Sequence, residues 1–247
     1  MSRTVALIQA RMSSSRYPGK VLELLGNLPM IVFMVRRVRR ARTLQDVIVV
    51  TSVDKSDDAL AALLMTHDIH CFRGELHDVL ARYSVAAASS GATEIVRLTG
   101  DCPLTDPAVI DQVVRARRDA NADYASNVDP RTFADGLDVE CFTRAVLDRA
   151  TSEASEPAQR EHVTLWMREA AAGLRRTNVR AVADSSPLRL TVDYPADLTA
   201  IRRLVELIGR LPDEFDMFDM LRCIAAHPEI TAMNAAMNAA MNRLETT

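Results

Sequence analysis

The segment ALIQARMSSSRYPGKVL, residues 6–22, links two apolar runs through a stretch that carries three cations. The first run ends at Gln9, and its short, β-branched character is typical of a buried strand. Arg11, Arg16 and Lys20 then stand among small residues before apolar residues resume. A loop with this charge, placed directly after a strand, predicts a site for an anionic ligand. The alternative is a solvated turn that happens to carry a few cations.

Three more short apolar runs follow, and segments of helical period separate them. The strand-like runs are TVALIQA (4–10), DVIVVTS (46–52), IHCF (69–72) and EIVRLTGD (94–101), and the helical segments are 29–43, 56–68 and 76–91. This alternation predicts an α/β fold, with a mostly parallel central sheet and helices on both faces. Ligands of such sheets bind beyond the carboxyl ends of the strands, so we expect the cationic loop to face Asp101 there.

The second half of the chain alternates less regularly. It contains one helix that begins with Asp106 as N-cap and Pro107 at its first position. Further strands are predicted at 122–127, 136–142 and 189–195, and further helices at 143–154, 159–173, 195–209 and 216–227. We interpret residues 1–247 as a single domain, with an inserted segment at 130–187 that carries substrate or subunit contacts and a C-terminal helical extension at 210–247. The Met-Asn-Ala-Ala repeat within 232–245 predicts a peripheral helix.

Composition excludes several classes of protein. The 247 residues are 48% hydrophobic and 26% charged, with a net charge of −3, so no overall positive field attracts nucleic acid or an anionic membrane. The cationic stretch RRVRRAR, residues 36–42, contains no aromatic residue on which a base could stack. This composition disfavours a nucleic-acid-binding module. No segment has the pattern of a signal peptide or a membrane span, which predicts a cytoplasmic protein. The four widely spaced cysteines are expected to be reduced, without zinc.

The residue types in the first loop suit a polyphosphate. Serines 13–15 and Gly19 permit close backbone approach, while arginine offers a planar fork of donors and lysine a compact point charge. Neither the P-loop pattern nor the dinucleotide-binding glycine pattern occurs in the chain. Asp101 and Asp193 each end a predicted strand, where carboxylates could hold Mg²⁺ together with phosphate oxygens. The alternative for either aspartate is a structural role in a turn.

Six motifs in this order resemble one enzyme family. They are ALIQARMSSSRYPGKVL, FRGELHDVLARY, VRLTGDCPLTDP, DGLDVECF, REHVT and LTVDYPADL. The set resembles the cytidylyltransferases that activate sugar acids, of the acylneuraminate and 3-deoxy-manno-octulosonate type, and most of all the spore-coat polysaccharide biosynthesis subgroup. The resemblance covers about residues 4–208. It implies a nucleotide-diphospho-sugar transferase fold, in which an acceptor oxygen attacks the α-phosphorus of CTP and pyrophosphate leaves.

The resemblance also implies roles for particular residues. Arg11, Lys20 and Asp101 would be catalytic, Asp101 and Asp193 would bind Mg²⁺, and a homodimer would form through the inserted segment. The CTP co-substrate would contact Ala10, Arg11, Ser14, Arg16, Lys20, Arg73 and Gly74, with the main chain of Ala10 and Arg11 and the side chain of Arg73 close to the base. The small-molecule acceptor would contact Asn127, Asp138, Glu140, Arg160, Glu161 and His162. Asp138 or His162 could act as general base, and His162 could equally be a packing residue.

The sequence departs from the family pattern in three places. Tyr17 replaces an expected leucine, Asn27-Leu28-Pro29 replaces a Gly-Lys-Pro-like turn, and Gln159 replaces an acid. The last two changes concern acceptor and subunit contacts more than CTP binding. Two alternatives stay open besides a CTP-dependent enzyme that makes a CMP-linked sugar acid. One is the same fold acting on another nucleotide or on a phosphonate or cyclitol phosphate. The other is a catalytically silent nucleotide-binding subunit, which the joint presence of Arg11, Lys20, Asp101 and Asp193 disfavours.

Overall fold

The part of the chain that this computed structural model describes, residues 2–235, is built around one seven-stranded sheet. The strands are β1 Thr4–Gln9, β2 Leu24–Leu25, β3 Leu28–Pro29, β4 Asp46–Ser52, β5 His70–Gly74, β6 Glu94–Thr99, β7 Tyr124–Ser126, β8 Glu140–Thr143 and β9 Arg176–Asn178. The α-helices are α1 Met30–Val38, α2 Asp58–Thr66, α3 Val79–Ser89, α4 Pro107–Asp119, α5 Arg144–Glu153, α6 Pro157–Glu161, α7 Leu165–Arg168, α8 Pro195–Ile208, α9 Met217–Ala226 and α10 Glu229–Ala232.

Strand β1 lies in the middle of the parallel part of the sheet. The strand order is β5-β4-β1-β6-β8-β7-β9, and β1 pairs in parallel with both β4 and β6. Strand β8 is antiparallel to β6, and β2 with β3 forms a separate small hairpin. Because β5, β4, β1 and β6 run the same way, their carboxyl ends meet at one edge. The predicted α/β fold with a mostly parallel sheet is confirmed.

Helices cover both faces of this sheet. Val5 and Leu7 of β1 point to one face, where they join the core residues of α3 and α5. Ala6 and Ile8 point to the other face, where they join the core residues of α1, α4 and α8. All four side chains are fully buried, which explains why β1 is apolar on both faces instead of alternating.

The hydroxyl of Tyr83 fastens α3 to the sheet. It donates to the carbonyl oxygens of Leu7, at 3.0 Å, and Leu98, at 3.4 Å, so one side chain connects the helix to β1 and β6. Burial raises the pKa of Tyr83, which keeps the hydroxyl protonated as a donor. The position of the first turn of α3 relative to the strand ends is therefore fixed.

The strand predicted at 189–195 is wrong. The segment is extended, but only Arg189 forms an isolated bridge, to Asp135. The amide of Val192 donates to the carbonyl of Asp101 at 2.8 Å, so the segment runs along the turn after β6 and does not join the sheet as a strand. Pro195 then begins α8.

The single helix predicted at 159–173 is also wrong. Val163 has a φ of 54°, which interrupts the chain between α6 and α7. A β-branched residue rarely adopts this conformation, so helical period alone did not indicate the break. In contrast, Asp106 accepts from the amides of Ala108 and Val109 as the predicted N-cap of α4.

Residues 236–247 lie outside the described part of the chain, and so does most of the predicted helix over 232–245. Helix α10 precedes that repeat and packs on α8. No helix among residues 2–235 combines the length and apolar character that crossing a bilayer requires. The four cysteines are free thiols, as expected.

A buried carboxylate joins the start of the sheet to α4. Glu94 is 1% exposed and accepts hydrogen bonds from Thr4, Arg117 and Arg118, the last at 2.6 Å. Burial by itself would raise the pKa of Glu94, but Arg118, Thr4 and Arg117 outweigh it and hold the pKa below its ordinary value of 4.5. The ionised form therefore stabilises the native state.

We predict that Glu94→Gln lowers the free energy of unfolding at pH 7 by about 3–5 kcal/mol, because it leaves two arginines without their buried partner. Since the native pKa is lowered, this stabilisation is complete above the unfolded pKa and disappears as the pH falls through the native value. Urea denaturation should therefore show the difference from wild type shrinking below about pH 4. Glu206→Gln, at an exposed surface ion pair, is the control and should change stability by less than about 0.5 kcal/mol. An equal, pH-independent effect of both changes would contradict this account.

Candidate active site

A cavity of about 280 Å³ opens at the carboxyl edge of the parallel strands. It brings together residues from the first loop, the end of β6, α6 and the segment before α8, which are far apart in the sequence. Nine residues singled out from the sequence line it, namely Ala10, Arg11, Ser14, Arg16, Lys20, Asp101, Glu161, His162 and Asp193. Gln9, Ser15, Val21, Val79, Arg82, Thr99 and Gly100 complete the lining.

Lys20 sits between the two aspartates. Gly19 has a φ of 75°, a left-handed conformation that favours glycine, and its amide donates to the carbonyl of Met12 at 2.9 Å. This turn directs the buried Lys20 inward, where Nζ donates to the carbonyl of Val192 at 2.6 Å. The same Nζ lies 3.4 Å from a carboxylate oxygen of Asp101 and 3.2 Å from one of Asp193.

Asp193 is surrounded by cations. Besides Lys20, it contacts Arg16 at 2.7 Å and Arg189 at 2.9 Å. Burial tends to raise the pKa of this carboxyl, but Lys20, Arg189 and Arg16 outweigh it and hold the pKa below the ordinary value of 3.8. Asp193 is therefore ionised at neutral pH.

Arg189 organises the acids behind the cavity. Its buried guanidinium bonds to Asp135, Asp193 and Asp197, each within about 3.0 Å. Asn234 adds hydrogen bonds to the carbonyl of Arg189 and a carboxylate oxygen of Asp197, both at 3.3 Å. Burial and the neighbouring Asp138 carboxylate raise the pKa of Asp135 to about 6. This network fixes the Asp193 carboxylate.

The carboxylates of Asp101 and Asp193 both face the ammonium group of Lys20, so they border one small region. Two carboxylates placed this way suit a hard divalent cation. The Asp101 side chain is 31% exposed and thus accessible from the cavity. Residues 2–235 contain no group of three or more His, Cys, Asp or Glu placed to hold a metal ion. A cation here would accordingly have few protein ligands, as Mg²⁺ has when phosphate oxygens and water complete its coordination.

Arg73 and Gly74 do not line the cavity. The Arg73 guanidinium donates to the carbonyls of Ser52 and Asp54 and pairs with Asp58 at 2.7 Å. Gly74 pairs with Ser52 in the ladder between β4 and β5. Arg73 therefore ties the end of β5 to the segment after β4.

Two of the predicted acceptor residues, Asn127 and Arg160, form structural bonds and do not line the larger cavity. The Asn127 side chain donates to the carbonyl of Leu137 and accepts from the amide of Val139, both at 2.8 Å. Arg160 pairs with Asp78 and lines a different cavity, beside α6. These bonds hold the segment before β8 and the start of α3 in place.

Asp138 and Glu140 line a smaller cavity of about 220 Å³, which shares Thr99 with the first. Asp138 binds Arg131 through both carboxylate oxygens, and Glu140 accepts hydrogen bonds from Arg97 and from Tyr124. The exposed Arg168 also lines this cavity. The smaller cavity is thus polar, with three arginines and two carboxylates around it.

Arg82 is a functional candidate that lies within the motif FRGELHDVLARY but was not predicted as a site residue from the sequence. It lines the larger cavity, is 4% exposed, and its buried Nε and Nη1 have no hydrogen-bond partner among residues 2–235. A signal was present, because Arg82 follows the buried Val79 by three residues and precedes the buried Ala86 by four, on the apolar stripe of α3. A cation on a core-facing stripe indicates either a buried ion pair or a ligand.

Comparison with known proteins places this site in a family. The cytidylyltransferase family model matches residues 5–212. The chain is 31% identical to the spore coat polysaccharide biosynthesis protein SpsF of Bacillus subtilis in an alignment 249 positions long. This alignment covers 98% of this chain and 99% of that protein. The structure of a cytidylyltransferase from Leptospira borgpetersenii superposes with a TM-score of 0.88 at 31% identity, covering 94% of this chain and 97% of that one.

A more distant structure supports the fold alone. A CMP:2-keto-3-deoxy-manno-octonic acid synthetase, solved with CTP, has a TM-score of 0.65 at 20% identity, covering 83% of this chain and 99% of that one. The fold expected from the resemblance, that of nucleotide-diphospho-sugar transferases, is confirmed. The chain therefore belongs to the cytidylyltransferase family and is a CTP-dependent nucleotidyltransferase.

Proposed function

We propose that this enzyme transfers CMP from CTP to a sugar acid or a related acidic acceptor, with Mg²⁺ bound, and releases pyrophosphate. The observation that carries the proposal is the position of Lys20, whose Nζ lies between Asp101 and Asp193 at the wall of a cavity lined by Arg11 and Arg16. This arrangement supplies both the cations and the paired carboxylates that a metal-bound triphosphate requires.

The first loop would hold the triphosphate. Arg11 and Arg16 are each nearly half exposed, and their ion pairs are with acids of the cavity wall, so phosphate oxygens can replace Glu161 and Asp193 as their partners. The hydroxyls of Ser14 and Ser15 lie in the same wall. The main chain of Ala10 and Arg11 would lie against the base. These groups position the α-phosphorus and neutralise charge on the leaving pyrophosphate.

Asp101 and Asp193 would hold Mg²⁺. When bound, the ion supplies charge neutralisation across the phosphate oxygens. Arg189 and Lys20 keep Asp193 ionised, so the carboxylate is ready to act as a ligand at neutral pH. Lys20 remains anchored through its bond to the Val192 carbonyl and can turn one N–H toward a phosphate oxygen.

We place the acceptor in the smaller cavity that contains Asp138 and Glu140. Its contact with the larger cavity at Thr99 would put an acceptor oxygen next to the α-phosphorus. Arg97, Arg131 and Arg168 favour an acceptor that carries a negative charge. Because Asp138 already holds Arg131, we favour His162, which lines the larger cavity, as the general base. An acceptor that attacks as an ionised phosphate or phosphonate would need none.

We predict that Lys20→Met lowers kcat/KM about a hundredfold to a thousandfold, because it removes a cation fixed next to the developing charge. The protein should still fold, since Asp193 retains Arg16 and Arg189. Steady-state pyrophosphate release and circular dichroism measure the two effects. The chain's other lysine, the exposed Lys55, gives the matched control Lys55→Met, which should keep wild-type turnover. Wild-type turnover in Lys20→Met would remove the role assigned to Lys20.

We further predict that CTP with Mg²⁺ raises the melting temperature more than ATP, GTP or UTP does, because a ligand of the native state stabilises it by mass action. Asp101→Asn should abolish the increment due to Mg²⁺ while keeping the smaller effect of CTP alone. Differential scanning fluorimetry with each nucleotide, with and without Mg²⁺, measures both. A larger shift with another nucleotide would identify that nucleotide, and not CTP, as the donor substrate. A shift that does not depend on Mg²⁺ would contradict the metal site.

We also propose a homodimer that forms through the 130–187 segment and acts in the cytoplasm. Two features support the interface: β9 is the last strand of the sheet, and Val182 nearby is a fully exposed apolar side chain. Light scattering of the purified protein should give about twice the chain mass of 27.3 kDa. Val182→Asp should reduce that mass, whereas Val85→Asp, an exposed valine of α3, should leave it unchanged. A monomeric wild type would contradict the proposal.

A further inference from the structure

The side chain of Arg82 is a buried cation, two of whose N–H groups have no acceptor in the described part of the chain. Its Nε and Nη1 have no acceptor among residues 2–235, although the residue is only 4% exposed. The acid with the largest influence on it, Asp57, already accepts from the amides of Met12 and Ser52. Leaving such donors unpaired costs folding free energy, so the position of Arg82 calls for an acceptor supplied from outside the chain.

The backbone around Arg82 is shaped to hold it there. A Cβ atom at Gly74 would lie 3.1 Å from Cγ of Arg82, so a glycine at this position lets the arginine stem pack against the end of β5. The first turn of α3 carries the stem, and the Tyr83 hydroxyl fixes that turn to the sheet. The guanidinium is consequently held in one place at the cavity wall.

The order of the strands separates Arg82 from the two aspartates. Arg82 packs on β5, on the far side of β1 and β4, whereas Asp101 follows β6. Lys20, Arg16 and both carboxylates are gathered at the β6 end of the cavity. If the triphosphate and its metal occupy that end, the nucleoside extends toward Arg82 and the apolar Val79.

We propose that Arg82 reads the pyrimidine base of the nucleotide and selects cytosine over uracil by donating to the ring acceptors O2 and N3. This inference rests on the proposed function, because it takes the β6 end as the phosphate site. Arginine has donors only, so it matches the unprotonated N3 of cytosine and conflicts with the N3–H of uracil. An N–H donor that faces another donor costs more free energy when it is buried than when water can hydrogen-bond to it. A buried Arg82 would therefore disfavour binding of uracil relative to cytosine.

The test compares wild type with Arg82→Met and Arg82→Lys by titration calorimetry with CTP, UTP and inorganic triphosphate. We expect Arg82→Met to weaken CTP binding about 10- to 100-fold and to bring the Kd values of CTP and UTP together. Affinity for inorganic triphosphate should not change, because that probe has no base. Arg82→Lys keeps the charge but not the donor geometry, so it should recover only part of the preference for CTP. The matched control, Arg36→Met at an exposed position of α1, should behave as wild type.

A second readout comes from the free protein. Because Nε and Nη1 of Arg82 are buried without an acceptor among residues 2–235, Arg82→Met should raise the melting temperature without nucleotide and shrink the further rise that CTP produces. These opposite changes distinguish a ligand-binding arginine from a structural one, whose loss would lower stability.

Several outcomes would overturn the inference. Equal weakening of CTP and inorganic triphosphate would make Arg82 a phosphate ligand, and an effect on the acceptor KM alone would make it an acceptor ligand. Unchanged discrimination between CTP and UTP in a folded Arg82→Met would rule out base reading. All three leave the proposed function standing, whereas a wild-type protein that binds no nucleotide would refute the proposed function itself.

Discussion

The parallel pairing of β1 with both β4 and β6 is the constraint on which the site depends. Gln9 and Thr99 are the last residues of β1 and β6 and are register partners, so the chain leaves both strands at adjacent points. The amide of Gly100 bonds to the carbonyl of Gln9 at 2.8 Å, and a Cβ at Gly100 would come within 2.9 Å of that of Ala10. The first loop and the turn that carries Asp101 therefore approach so closely that position 100 has no room for a side chain.

Charge is distributed unevenly around that junction. Arg189, the most buried cation of the acid network, is satisfied by three aspartates, and Lys20 by two aspartates and a carbonyl. Arg11 and Arg16, in contrast, reach the cavity with more than two fifths of their side chains exposed. Buried pairs are costly to rearrange, while exposed pairs exchange partners easily. The interior pairs thus fix geometry, and the exposed cations remain available to a ligand.

Much of the fold and the centre of the site could be predicted from the sequence, because both depend on local pattern. Apolar runs that alternate with helical period gave β1, β4, β5 and β6, and the rule for strand ends then brought Lys20 and Asp101 together. The prediction failed where contacts with residues distant in the sequence determine the local conformation. Residues 189–195 look like a strand but bond to Asp101 and Asp135, and the positive φ of Val163 has no sequence signal. Arg82 stands in the motif FRGELHDVLARY, but its position on the apolar stripe of α3 is typical of a packing residue, so the sequence did not by itself indicate a role in the site.

The hydrogen bonds of Asn234 imply that the site does not end where the match to the family model ends. The match to the family stops at residue 212, yet Asn234 is 2% exposed and bonds to the Arg189 carbonyl and the Asp197 carboxylate. The Arg189 guanidinium and the Asp197 carboxylate in turn bond to the side chain and the amide of Asp193, respectively. Proteolytic removal of the chain after α9 would leave every residue that lines the larger cavity in place. It would nevertheless break the hydrogen bonds from Asn234 to Arg189 and Asp197. Residues beyond the family-model match thus contribute to the hydrogen-bond network that supports the site.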